Sequence, residues 1–201
     1  MSDRTAAAAI TASIPAHYGP MPAGVTFAET KFAAAWNIQG DPARASFADE
    51  AQRRFGLALP TVPNTTAQHG WLTALWLGPT SWLLVANDAS LLGGFTAQRD
   101  AVNSAGGALF DVTASSIAWT VGGPYAGIVL AKHCPLDFDE REFAVHGCAQ
   151  SVLGHVNALF YRRDPASFTV TVARSYARGV WRMVCQSAAQ YGYDVTPSIA
   201  F

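Results

Sequence analysis

The chain carries one pattern twice. Trp36-Asn37-Ile38-Gln39-Gly40-Asp41-Pro42-Ala43 recurs, 83 residues on, as Trp119-Thr120-Val121-Gly122-Gly123-Pro124-Tyr125-Ala126. The triplet Asp111-Val112-Thr113 recurs at the same offset as Asp194-Val195-Thr196. Between these anchors, Ala74-Leu75-Trp76 is echoed by Ala158-Leu159-Phe160, and the hairpin apex before Trp82 by the one before Phe168. Solenoid units run roughly 20–50 residues, so a period this long marks a duplicated half-domain. Duplication constrains the architecture before any motif is weighed: whatever one half folds into, the other must repeat.

Hydrophobic periodicity supplies the elements of each half. In the first, Phe32–Ile38 reads as a strand. Asp41 is expected to cap a helix with Pro42 at its first position. Phe47, Ala51 and Phe55 recur every four residues as one apolar stripe. Asp49 with Arg53 and Glu50 with Arg54 stand at i,i+4 on the outer face, and Gly56 closes the helix. A Pro- and Thr-rich loop runs through Gly70. Trp71–Leu77 and Trp82–Ala86 form two strands about Gly78-Pro79. Leu91, Leu92, Phe95 and Val102 make a weaker helix, loosened by Gly93-Gly94, and Ala108–Val112 returns as a strand.

The second half repeats the order. Ser116–Val121 is a strand, and Gly122-Gly123-Pro124 opens a helix that stops before Pro135. Cys148–Leu153, Val156–Arg162 and Phe168–Val172 are extended. Ser175 is expected to cap a helix with Ala177, Val180, Trp181, Val184, Ala188 and Tyr191 on one side, ended by Gly192. The expected fold is α+β: tandem β-α-β-β-α-β half-domains, mainly antiparallel sheets with helices packed on one face. Residues 1–24 read as a flexible tail, 25–113 as the first half and 114–201 as the second, together one compact unit.

Composition bears on the surface. Charged residues make up 13% of the chain, against about 25% in soluble domains. The mass of 21.3 kDa implies a surface of roughly 9,000 Å². The 13 Lys and Arg with 14 Asp and Glu then supply about one charge per 340 Å². So sparse a charge points to a surface that faces a partner, or to the bland exterior of an Ala-rich protein. A net charge of −1 provides no basic field for nucleic acid or anionic lipid. No apolar run approaches the roughly 20 residues of a membrane span, and the N-terminus lacks the layout of a signal peptide. Three irregularly spaced cysteines, Cys134, Cys148 and Cys185, fit free thiols in a reducing compartment, so a cytoplasmic location is expected.

Chemistry-bearing motifs are few. There is no G-x-G-x-x-G, P-loop or G-x-S-x-G. The turn Gly122–Gly127 reads as an anion cradle or as a tight turn before a helix. His133, Cys134, His146 and Cys148 lack zinc-ligand spacing, so no metal is expected. Cys134 beside His133 is the one arrangement that resembles a thiol with a base. Asp137, Asp139 and Glu140 follow the Pro135 break as a solvated loop, with Asp137 as a weak catalytic candidate for handling a proton or anchoring an amine. Arg174 and Arg178 flank the start of the last helix and suit a carboxylate clamp, solvent or an interface. Trp36, Trp119 and Trp181 fit core faces. Trp71, Trp76 and Trp82 cluster on one hairpin, where they are core residues or interface anchors.

Longer stretches carry a resemblance. Leu75-Trp76-Leu77-Gly78-Pro79-Thr80-Ser81-Trp82-Leu83-Leu84-Val85 resembles the LWLGPDEWLL stretch of gamma subunits of heterotetrameric sarcosine oxidases. Asp111-Val112-Thr113, Gly123-Pro124 and Leu130-Ala131-Lys132-His133-Cys134-Pro135-Leu136-Asp137 are similar to that family's DVS, GP and VLAKGCPLDL. Cys148–Gly154 resembles CAQTLLG, and Arg174–Trp181 resembles the RRSFA…W segment. The likeness covers roughly residues 70–192.

This resemblance implies an aminomethyltransferase-like fold and a non-catalytic structural subunit. The assembly would oxidatively demethylate sarcosine to glycine, with hydrogen peroxide and either formaldehyde or 5,10-methylenetetrahydrofolate as products. No cofactor is expected on this chain; FAD, FMN, NAD and tetrahydrofolate would sit on the partner alpha and beta subunits, with delta as a further partner. Trp71, Trp76, Trp82, Arg174 and Arg178 are the interface candidates. Asp137 falls near the acidic residue that the transferases direct at the amine, but Gln150–Val156 stands where they carry a Gly- and acid-rich stretch. The alternatives are a folate-dependent aminomethyltransferase using Asp137, or the same subunit in a complex acting on another N-methyl amino acid such as N-methylglutamate.

Overall fold

The computed structural model describes residues 15–201. Of the expected tail, 1–14 lie outside the described residues. The rest is not a featureless tail: it holds strand β1 (Ala16–Tyr18) and leads into β2 (Val25–Lys31). The chain forms two compact units, one from residues 32–113 with 200–201, the other from 114–199 with the described residues before 32.

The 32–113 unit contains β3 (Ala34–Gln39), α1 (Ala45–Phe55), β4 (Thr66–His69), β5 (Leu72–Gly78), β6 (Ser81–Ala86), α2 (Phe95–Ser104) and β7 (Ala108–Asp111). Its strands pair antiparallel in the order β4-β5-β6-β3-β7. The α1 stripe is buried as its spacing requires: Phe47, Ala51 and Phe55 are at most 2% exposed. Each phenylalanine contributes about 1.5–3 kcal/mol by leaving water. Gly56, at φ 71, ends the helix by donating its N–H to the Gln52 carbonyl. Only glycine adopts this left-handed turn freely.

Two local details differ from expectation. Asp41 does not cap α1; its carboxylate accepts the Ala43 N–H at 2.9 Å and closes a turn through Pro42. The helix waits until Ala45, after an extended Arg44, because that side-chain turn competes with helical hydrogen bonding. Glu50 receives both Arg53 and Arg54.

The other unit contains β8 (Ser116–Gly122), α3 (Ala126–Ala131), β9 (Cys148–Leu153), β10 (Val156–Asp164), β11 (Ser167–Ala173), α4 (Ala177–Ala188) and β12 (Tyr193–Ala200). Ser175 does not cap α4 but lies within a 3-10 turn, Arg174–Tyr176, that leads into it. The sheet runs β1-β12-β2-β8-β11-β10-β9.

The duplication is visible in these orders. β4-β5-β6-β3 in one sheet corresponds to β9-β10-β11-β8 in the other. Each half is β-α-β-β-β-α-β, one strand more than the expected pattern: in the first half β4 arises within the Pro/Thr-rich loop, and in the second the three extended segments expected between the helices are all strands, β9, β10 and β11. The symmetry then breaks. β7 lies directly against β3, whereas β2 inserts between β8 and β12. The two Asp-Val-Thr copies therefore meet different partners. The Ala35 N–H donates to the Thr113 hydroxyl on β3's flank, while the Thr196 hydroxyl donates to the Phe27 carbonyl on β2. Val25–Lys31, expected in the first half, is thus a strand of the second unit. Its buried Val25, Phe27, Ala28 and Thr30 pack there as an inner strand.

β1 is held against β12 by side chains as well as by pairing. Tyr18 stacks on Tyr193 with ring centroids 4.8 Å apart. Gly192, at φ 66, lets Pro20 approach so closely that a Cβ would run into the Pro20 carbonyl. His17 Nδ1 lies 2.7 Å from the Asp194 carboxylate and Nε2 lies 2.9 Å from the Gly19 carbonyl. Two acceptors require two N–H groups, which only the imidazolium has. The hydrogen bond to Asp194, then that to Gly19, raises the His17 pKa. A raised folded pKa makes the contribution full below the unfolded value of about 6.5 and removes it as pH rises through the folded value. Proteolysis between His17 and Gly24 is expected to quicken over that upper range, the more so in low salt. In His17→Ala it should be fast at every pH; an equally pH-dependent variant would refute the assignment.

Candidate functional site

Two of the candidate residues, Asp137 and Asp139, line one groove of the 114–199 unit. This open groove of about 400 Å³ lies among the turn before α3, the loop after it and the β10–β11 turn. Pro124 and Ile128 form one wall, Asp137 and Asp139 a second, Pro165 and Phe168 a third. Ile128 is 51% exposed, which leaves apolar surface facing water beside two carboxylates.

Asp139 is bound to its own loop. It accepts from the Arg141 backbone N–H and from the Arg141 guanidinium at 2.9 and 3.1 Å. That guanidinium holds its pKa down to about 2. Asp137 uses one carboxylate oxygen to accept the Asp139 N–H at 2.8 Å; the residue is exposed, and no second bond to its other oxygen is seen among the described residues. The loop thus turns its carboxylates outward, with Asp139 held in its charged form by Arg141.

Beneath the groove lies Arg162, only 4% exposed. Its guanidinium donates to the Phe138 and Phe143 carbonyls at 3.1 and 2.8 Å and to the Pro165 carbonyl at 2.6 Å. It lies over the Phe168 ring at 5.2 Å and within 3.6 Å of the Glu140 carboxylate. One buried cation therefore ties the carboxylate loop to the β10–β11 turn, two of the groove's walls. The sequence reading missed this residue. The signal was the two-residue period of β10: Arg162 is in phase with the buried Ala158 and Phe160.

The other candidates are engaged elsewhere. The turn amides that suggested an anion cradle already have acceptors: Gly123 N–H donates to the Ala166 carbonyl, Tyr125 to Gly24 and Ala126 to Gly123. His133 Nε2 is 2.6 Å from the Ser187 hydroxyl, and burial, reinforced by the Lys132 charge, lowers its pKa. Cys134 and Cys148 are buried thiols, and burial pushes the Cys185 thiol up to about 12. Among the described residues no group of three or more His, Cys, Asp or Glu is placed to hold a metal ion. None of their helices is long and apolar enough to cross a membrane.

The interface candidates separate by burial. Trp82 is a correction: it is fully buried, with its indole N–H donating to the Pro60 carbonyl at 2.7 Å, and so is a core residue. It belongs to the alternating phase of β6 that faces α1. Trp71 and Trp76 are half-buried at the edge of the same core. Arg174 is half-buried and donates through Nε to the Ala114 carbonyl at 2.7 Å, fastening the start of β8. Arg178 is exposed on the first turn of α4, two residues from Tyr176 at 55% exposure.

No protein-family model matches the chain. It is 30% identical over 153 residues to the sarcosine oxidase subunit gamma of Arthrobacter sp., covering 76% of this chain and 74% of that one. It is 29% identical to the same subunit of Corynebacterium sp. strain U-96 over 153 residues, 76% and 73% of the two chains. Against that of Corynebacterium sp. strain P-1 it is 28% identical over 171 residues, 85% and 83%. Among solved structures it resembles a chain of the heterotetrameric sarcosine oxidase from Corynebacterium sp. U-96, in complex with pyrrole 2-carboxylate, with a TM-score of 0.79 at 24% identity over 94% of both chains. The aminomethyltransferase T of the Bartonella henselae glycine cleavage system shares the fold more distantly. Its TM-score is 0.52 at 14% identity, covering 84% of this chain and 49% of that one.

Proposed function

Because the chain belongs to the family of sarcosine oxidase gamma subunits, we propose that it is the structural subunit of a heterotetrameric oxidase that demethylates sarcosine to glycine. FAD, FMN, NAD and tetrahydrofolate are carried by the other subunits, and this chain braces the alpha subunit's folate-handling part while touching beta. The complex works in the cytoplasm. The observation that carries the reading is likeness along most of the chain: 76% of it aligns with a family member at 30% identity, and the fold match extends over 94%.

The chemistry of the residues supports a bracing role. Asp139 is paired to Arg141, His133 to Ser187 and Arg174 to a backbone carbonyl. Each of these polar groups stabilises a local segment. Trp71, Trp76 and Arg178 remain the interface candidates after Trp82 is assigned to the core. Half-buried tryptophans suit that role, since they bring large contact area at low entropic cost.

Co-expression with and without the other subunits tests the proposal. The chain is expected to co-purify with them as a yellow, flavin-containing assembly of defined stoichiometry that oxidises sarcosine. A well-folded monomer with no affinity for those subunits would overturn it.

A further inference from the structure

We infer that the groove between α3, the Asp137–Asp139 loop and the β10–β11 turn receives an arginine or lysine side chain, flanked by an apolar residue, from a partner subunit of the assembly. The inference rests on the subunit reading above and names one point of contact within it.

Three observations carry it. The first is shape: about 400 Å³ of open groove is ample for one long side chain and an apolar neighbour. The second is charge. The groove's two ionisable lining residues are both carboxylates. Asp139 is held ionised by Arg141, and one Asp137 oxygen points to no partner among the described residues. Residues 137–142 carry Asp137, Asp139, Glu140 and Glu142 against Arg141, with the buried Arg162 beside Glu140 as another nearby cation. An anionic segment would be repelled by these carboxylates, and a purely apolar one would desolvate Asp137 without a counter-charge, whereas a guanidinium or ammonium pairs with it.

The third observation is preorganisation. Arg162 fastens both the carboxylate loop, through Phe138 and Phe143, and the β10–β11 turn, through Pro165. A buried guanidinium is costly to desolvate, and here its donors fix the spacing of two groove walls. Rigid walls lower the ordering cost of association. Ile128, half exposed beside the carboxylates, provides the contact for the apolar flank. A long basic side chain lays its methylene stem on such a surface while its charged head reaches the carboxylate.

The test uses the full chain with its partner subunits. Wild-type association is measured first; if it is absent, the subunit reading fails and this inference with it. If it is present, Asp137→Asn and Asp137→Lys should weaken it by at least about 30-fold, the scale of breaking a desolvated charge pair. Ile128→Asp should weaken it as well, while Gln52→Ala, exposed on α1 and outside the groove, should leave it unchanged. Circular dichroism and thermal melts of the variants should match wild type.

Should a variant fail to fold, a photo-crosslinking residue at position 128 in the otherwise native chain reports the same contact. Capture of a partner-subunit peptide containing Arg or Lys supports the inference. Capture of a second copy of this chain, of an acidic or uncharged partner peptide, or of no peptide from the intact complex overturns it. So does unchanged affinity in Asp137→Lys. Saturable binding of tetrahydrofolate by wild type, lost in Asp137→Asn, would also overturn it by making the groove a ligand pocket.

Discussion

Trp82→Ala is expected to lower stability by about 3–5 kcal/mol, the range for removing a large aromatic from a packed core. The side chain is fully buried, lies against Phe47 of α1 with ring centroids 6.1 Å apart, and carries a satisfied indole N–H. Alanine would open a cavity between sheet and helix and leave the Pro60 carbonyl without that donor. Trp82→Phe should retain most of the packing and lose chiefly the hydrogen bond, at about 1–2 kcal/mol. Half-buried Trp71→Ala should cost less than Trp82→Ala. Denaturant titration of the purified chain, or of its complex if only that is soluble, checks the order. A Trp82→Ala loss below about 1 kcal/mol would contradict the packing described.

Arg162→Ala is expected to release the loop between α3 and β9 and to destabilise the chain by about 3 kcal/mol or more. It removes donors from four carbonyls, those of Phe138, Phe143, Asp164 and Pro165, and each one left buried and unbonded costs about 1–3 kcal/mol. Removing the buried charge offsets part of this, as does water entering the space. Arg162→Lys should rescue little, because a single ammonium cannot reproduce the planar fork that reaches Phe138, Phe143 and Pro165. Hydrogen exchange gives the specific readout. Amides of residues 137–147 should lose protection first, whereas those of β11, inside the sheet between β8 and β10, should keep theirs. Uniform loss throughout the unit would show that Arg162 supports the whole core and not the loop.

Much of the fold was legible because burial leaves a local periodic trace. The four-residue stripe of Phe47, Ala51 and Phe55 predicted α1 and its inward face. Gly78-Pro79 between two apolar runs predicted the β5–β6 hairpin. The 83-residue echo predicted that both halves would share one strand order, which they do for four strands each. Legibility failed where two local signals compete, as at Asp41, whose carboxylate closes a turn in place of capping a helix. It failed also at β4, whose Thr66–His69 has no apolar alternation to mark it.

For the candidate site, the sequence named Asp137 and Asp139 but not the groove that unites them with Ile128, nor Arg162 beneath it. Family membership followed from long ordered motifs, since shared ancestry is written directly in residue order. Trp82 as core and not contact surface, β2 as a strand of the second unit, and Arg162 as a buried clamp were decided only by tertiary structure. The reason is physical: periodicity tells which face of an element is apolar, but not what lies against that face. A strand's neighbour across 90 residues, as Thr30 has in Thr120, is selected by global packing and leaves no mark on the sequence between them.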